Sequence, residues 1–168
     1  MTSRKLVLIV TLFPVAILLQ AQDFDLSLRA YPSTWYNGYF EPGMDGGGLA
    51  LAWRPKFNDR TRFIVSGEFG VLKTRNECYA GLGFTRTILS GNHITLSGVA
   101  GLLNGFGLYR PKLLYTGGAE AYMRFDYRIG KRASLFAIIG ARYTLCPGYR
   151  EYGVWRYSSW PVGIGIEL

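Results

Sequence analysis

Histidine and cysteine are nearly missing from this chain of 168 residues, which carries one His and two Cys. Metal centres need clustered ligands, and Cys78, His93 and Cys146 are scattered along the sequence, so no metal site is expected. The GMDGGG stretch lacks a strand before it and a helix after it, the setting of a dinucleotide loop, so no cofactor is expected either. There is no linker, low-complexity tract or solenoid repeat. No nucleic-acid-binding module is visible, although 19 Lys and Arg stand against 11 Asp and Glu for a net charge of +8. That surplus is better matched to anionic lipid headgroups or phosphorylated glycolipid than to nucleic acid.

Long apolar runs are also scarce. The one at the start, Leu6 to Leu19, spans 14 residues and is broken by Pro14, short of the roughly 20 that a spanning helix needs. With Arg4 and Lys5 before it and Ala21 after it, the run is expected to be a cleavable signal peptide over residues 1–22. One domain over 23–168 is then expected. Export would carry the two cysteines into an oxidising compartment. Only one internal bridge is possible, and the wide separation of their strands around a barrel disfavours it.

What is abundant is alternation. In GAEAYMRFDYRIG, every second residue from Ala119 to Ile129 is apolar, and Glu120, Tyr122, Arg124, Asp126 and Arg128 lie between. A period of two marks a strand with a different solvent on each face. Seven further segments share it: DFDLSLRA, GGLALAWR, FIVSGEFGVL, CYAGLGFT, HITLSGVAGL, SLFAIIGARYT and SWPVGIGIEL. The connections after the second, fourth and sixth are compact (RPKFNDRT, LSGN, GKRA). The others include the long YPSTWYNGYFEPGMD, NGFGLYRPKLLYT and CPGYREYGVWRYS, with KTRN a short exception. Short turns at one end and long loops at the other are how outer-membrane barrels are connected.

Alternation alone also fits a soluble, lipocalin-like barrel with its faces exchanged. Three features favour the membrane form. The polar face pairs five acids (Asp25, Glu68, Glu120, Asp126, Glu167) with five bases (Arg29, Arg54, Arg124, Arg128, Arg142), as a sealed lumen requires. The same face is rich in glycine (Gly48, Gly70, Gly81, Gly83, Gly140, Gly163, Gly165), leaving room for large side chains opposite. Aromatics crowd the strand ends, with Phe24, Trp53, Phe63 and Phe84 towards the short turns and Tyr31, Tyr115, Tyr143 and Trp160 towards the long loops, suggesting two headgroup-level girdles.

The whole of residues 23–168 resembles the small eight-stranded outer-membrane β-barrels of Gram-negative bacteria, the OmpA membrane domain and OmpX type. The most specific element is the alternating end, Trp160, Val162, Ile164, Ile166 and Leu168. The final Leu168 stands where that family usually has an aromatic. The resemblance implies an all-β, up-and-down antiparallel transmembrane barrel in the bacterial outer membrane, in contact with its lipid and lipopolysaccharide. Eight strands leave little lumen for a porin-like channel.

No catalytic residue is assigned. Lipid A acyltransferases and deacylases of this architecture use a histidine near the outer leaflet, whereas His93 follows a short turn at the other end. The interior set Glu68, Glu120, Arg124, Asp126, Arg128 and Arg142 is read as a structural salt-bridge lattice. Binding candidates are the loop residues Trp35, Tyr36, Arg110, Lys112, Arg150, Trp155 and Arg156, because Arg and aromatics dominate binding hot spots and the bases suit phosphates. The expected role is structural or adhesive, with an extracellular or envelope protein as partner. A lipid A-modifying enzyme is the runner-up, and an accessory barrel of an envelope or conjugation machine is a further alternative.

Overall fold

A computed structural model of the chain describes residues 23–36, 39–73, 75–109, 112–130, 133–152 and 156–168. The expected leader, residues 1–22, lies outside them. The strands are β1 (Phe24–Tyr36), β2 (Tyr39–Trp53), β3 (Thr61–Leu72), β4 (Asn76–Ser90), β5 (Ile94–Tyr109), β6 (Lys112–Arg128), β7 (Ser134–Leu145), β8 (Arg156–Ser159) and β9 (Val162–Glu167), with a 3-10 segment at Pro147–Tyr152 before β8. Each strand pairs antiparallel with its neighbours in the chain. Both β8 and β9 pair with β7 on one side and β1 on the other, so they are two halves of one eighth strand that closes the barrel. The break falls at Trp160 and Pro161, because proline has no N–H to give to the ladder. The Pro161 carbonyl still accepts from Gly140 N–H at 3.0 Å, and the wall stays continuous.

The register fixes the shape. Starting at Ile94, successive partners are Tyr127, Leu135, Ile166, Leu26, Leu51, Gly67, Ala80 and then Asn104, on the starting strand but ten residues along it. Eight strands with a shear of ten tilt by about 40° and enclose a backbone cylinder of about 8 Å radius. That is wide enough to be filled by side chains and too narrow for a broad pore.

One face of every strand looks outward and is apolar: Leu82 and Ile164 are each 67% exposed, and Leu28, Leu102, Phe106 and Ile139 are also bare. Arg29, Glu68, Glu120, Arg124 and Arg142 are buried inside. A water-soluble barrel has the opposite arrangement, so this one is built for hydrocarbon. Trp53, Phe63 and Phe84 gather towards the short turns, with Phe63 centred 5.0 Å from Phe84. Tyr115, Tyr143 and Trp160 face out towards the other end. Tyr31, expected in that girdle, is instead 3% exposed inside the lumen. It lies two residues from Arg29 and so shares its face; strand parity overrides nearness to a strand end.

The long loops are also corrected. Residues 31–45 and 104–116 were expected to be irregular, but β1 and β2 pair out to Tyr36 opposite Tyr39, and β5 and β6 out to Tyr109 opposite Lys112. A register shift between Tyr31 and Ser33 absorbs Pro32, and Gly43 takes a φ of +108° that other residues rarely adopt. The two connections are therefore ladders with their backbone groups paired.

Inward glycines make room for rings. A Cβ on Gly165 would collide with the Phe136 ring and the Leu26 carbonyl, whereas Gly67, facing out, has nothing within 4 Å of that position. Gly165→Val should therefore abolish the compact, heat-modifiable species on an unboiled gel, and Gly67→Val should leave it intact.

Candidate functional site

The lumen holds three layers of paired charge, and the two deeper ones draw their partners from strands distant in sequence. In the middle layer, Arg142 on β7 forks onto Glu68 of β3, with Nη1 and Nη2 each 2.7 Å from its oxygens, and Nη2 also reaches Glu120 of β6 at 2.7 Å. Arg29 on β1 bridges the same two carboxylates at 2.7 and 3.0 Å. The Tyr31 hydroxyl donates to Glu68 and accepts from Arg142 Nη1. Two guanidinium groups thus meet two carboxylates, a neutral knot that ties four strands together at the barrel axis.

Towards the short turns, Arg124 contacts Asp25, donates to Asp126 and to Glu167 at 2.6 Å each, and stacks 3.7 Å over the Phe136 ring. Arg54 joins Glu167 and Asp25 at 3.2 and 3.4 Å, and Arg62 joins Asp23 and Glu167 at 2.6 and 3.0 Å. Towards the long loops, Arg75 donates to Glu77 at 2.5 Å and lies 4.1 Å over the Tyr157 ring. The Tyr157 hydroxyl donates to Glu77 at 2.5 Å and meets the Tyr79 hydroxyl at 2.8 Å. Thr34 donates to the buried Asp45 at 2.9 Å.

Of the residues proposed for the lattice, Glu68, Glu120, Arg124, Asp126 and Arg142 occupy it. Arg128 does not: it has the inward parity but sits in the last pair of β6, opposite Ser134, where the lumen opens, and its side chain is exposed. Asp23, Arg62, Arg75 and Glu77 were missed. Arg62 shares a face with Ser66 and Glu68, and Glu77 with Tyr79, so extending each strand by one or two residues would have placed them.

The two cysteines lie on opposite sides of the wall and are free. Cys78 faces out between its partners Phe69 and Phe106, whereas Cys146 is 1% exposed in a small cluster with Tyr157 and Leu114 beneath the 3-10 segment. Burial pushes the Cys146 thiol up to about 12. His93 is exposed in the turn between β4 and β5, its ring centred 6.4 Å from Tyr127, at the short-turn end.

Of the loop candidates, Lys112, Arg150 and Arg156 are exposed at the long-loop end. Trp35 and Tyr36 continue β1, and their side chains lie outside the described residues, as do Arg110 and Trp155. Among the described residues, no group of three or more His, Cys, Asp and Glu could hold a metal ion.

A closed eight-stranded wall, apolar outside and filled with ion pairs, defines the class of transmembrane β-barrels. Among solved structures, the chain is similar to Ail, the attachment invasion locus protein of Yersinia pestis. That structure is 14% identical and has a TM-score of 0.49, with 88% of this chain and all of that one covered. A second structure of Ail, in complex with the heparin analogue sucrose octasulfate, is 15% identical, with a TM-score of 0.47 over the same shares. No family model and no curated protein matches the sequence.

Removing one partner of a buried pair strands the other, at a cost of about 3–5 kcal/mol. Arg142→Met should destabilise the refolded barrel by that amount in urea titrations followed by tryptophan fluorescence. Arg128→Met should stay within about 0.5 kcal/mol, as for an exposed site. With a thiol so rarely ionised, Cys146 should resist maleimide until the barrel is unfolded. Labelling of Cys146 in the folded protein, read by peptide mass spectrometry, would contradict its burial against Tyr157 and Leu114.

Proposed function

We propose that this chain is an outer-membrane barrel, exported by its N-terminal signal, whose role is structural and adhesive. Its filled lumen serves as a rigid post, and its long-loop end presents the contact surface. The observation that carries this reading is the continuation of strand pairing to the tips of two hairpins, Tyr36 opposite Tyr39 and Tyr109 opposite Lys112. A paired ladder holds its side chains in fixed relative positions, which lowers the ordering cost of binding.

The chemistry of that end points to anionic partners. Lys73, Lys112, Arg150 and Arg156 are exposed there, and two of the four carboxylates of that end, Asp45 and Glu77, are buried below them. Bases of this kind suit the phosphates of lipopolysaccharide in the surrounding leaflet, or an acidic face on an extracellular or envelope protein. The position of His93 at the opposite end weighs against chemistry on outer-leaflet lipid, because proton transfer needs hydrogen-bond distance.

The wild-type protein should fractionate with the outer membrane and run faster unboiled than boiled. Cells displaying it should bind polyanion-coated beads, less so as salt rises. A Lys112→Glu, Arg150→Glu, Arg156→Glu variant should keep the gel shift and lose most of the bead binding. Undiminished binding by that variant would refute the adhesive reading.

A further inference from the structure

The exterior is not uniform. On β9, β1 and β2 the outward positions carry large side chains such as Ile164, Leu26, Leu28, Leu49 and Leu51. At mid-height on β5, β6 and β7 a patch of them shrinks to Gly98, Ala100, Ala121 and Ala141. Ala100, Ala121 and Ala141 are direct cross-strand partners, forming one oblique row. Phe84, Met123, Ile139 and Trp160 stand around this floor and make a groove of about 670 Å³ on the lipid-facing wall, within the range of pockets that hold small ligands. The row from Phe84 to Trp160 crosses four strand spacings, about 19 Å. With the strands tilted by about 40°, the row climbs about 12 Å along the membrane normal, most of one leaflet of about 15 Å.

At the low end of the groove lies Arg86. It pairs with Gly98 in the ladder, shares the outward parity of Phe84 and Ile88, and is exposed. The arginines of the lumen meet carboxylates; Arg86, on the other face, has no ion pair among the described residues. A second exposed cation, Arg60, is held nearby, its carbonyl accepting from Thr87 N–H at 2.8 Å. A guanidinium at the edge of hydrocarbon, with a second cation beside it and no ion pair among the described residues, favours the phosphate of a neighbouring lipid.

The geometry points to a binding site for one anionic glycerophospholipid of the leaflet at the short-turn end. Its phosphate would sit on Arg86, with an acyl chain along Gly98, Ala100, Ala121 and Ala141. The site depends on the membrane-spanning fold and not on the adhesive role of the loops.

The test uses the purified full-length barrel in nanodiscs of phosphatidylcholine containing phosphatidylglycerol, released and weighed by native mass spectrometry. Wild-type protein should retain one phosphatidylglycerol in preference to phosphatidylcholine. Arg86→Gln should reduce that retention about fivefold, the effect of one interfacial cation at ~1 kcal/mol. Ala121→Leu, which fills the floor and leaves the charge, should reduce it as well, and Arg128→Gln should not. Both altered positions face outward, so the unboiled gel shift should persist and confirm that each barrel is folded. Retention of the two lipids in the ratio supplied, or equal retention by Arg86→Gln, would show an annular lipid only and overturn the proposal.

Discussion

Charge pairing inside a hydrocarbon sheath is the constraint on which the molecule is organised. A wall that presents Leu82, Leu102 and Ile164 to lipid hides Arg29, Glu68, Glu120, Arg124 and Arg142 within a cylinder of about 8 Å radius, and an unmatched charge there costs about 3–5 kcal/mol. The response is a stack of ion-pair layers built from arginine, whose planar fork can satisfy two carboxylates at once. Arg142 reaching both Glu68 and Glu120, and Arg124 reaching Asp25, Asp126 and Glu167, are the two hubs. Each hub joins strands that are remote in sequence, so the lattice specifies which strands face one another as well as filling the space.

The glycines complete this arrangement. Bare backbone at Gly165 and Gly140 accommodates the Phe136 ring and the Tyr122 side chain, so rings and guanidinium groups interleave in the lumen. Filling the lumen concentrates any recognition at the ends and on the outer wall. Arg29, Arg124 and Arg142 inside meet carboxylates, and Lys112, Arg150, Arg156 and Arg86 are exposed on the surface.

Much of this was legible from period-two alternation, because each strand has two unlike solvents and the pattern assigns each residue to one of them. Glu68, Glu120, Arg124 and Arg142 could be placed inside from parity alone. Failures came where parity was set aside or where it does not apply. Tyr31 was placed by nearness to a strand end when its alternation with Arg29 gave the right face. Arg128 obeyed parity but stood past the point where the lumen ends, a height that the shear determines and a single strand cannot reveal. The hairpins beyond the membrane were hidden because Pro32, Pro42 and Gly43 read as loop residues, while the bulge that accommodates them depends on cross-strand pairing. Arg86 was overlooked because the fourth segment was ended at Thr85, whereas β4 continues to Ser90.

The seam of the barrel has a kinetic meaning. The first strand and the last meet directly, Asp25 opposite Glu167 and Leu28 opposite Ile164, so closure awaits the final residues of the chain. Such remote pairing makes folding slow. Until those ends meet, the nascent sheet has two open edges and a half-covered set of arginines and carboxylates, a species prone to stick to its neighbours. Closing the seam pairs both edges and covers the ion-pair lattice together.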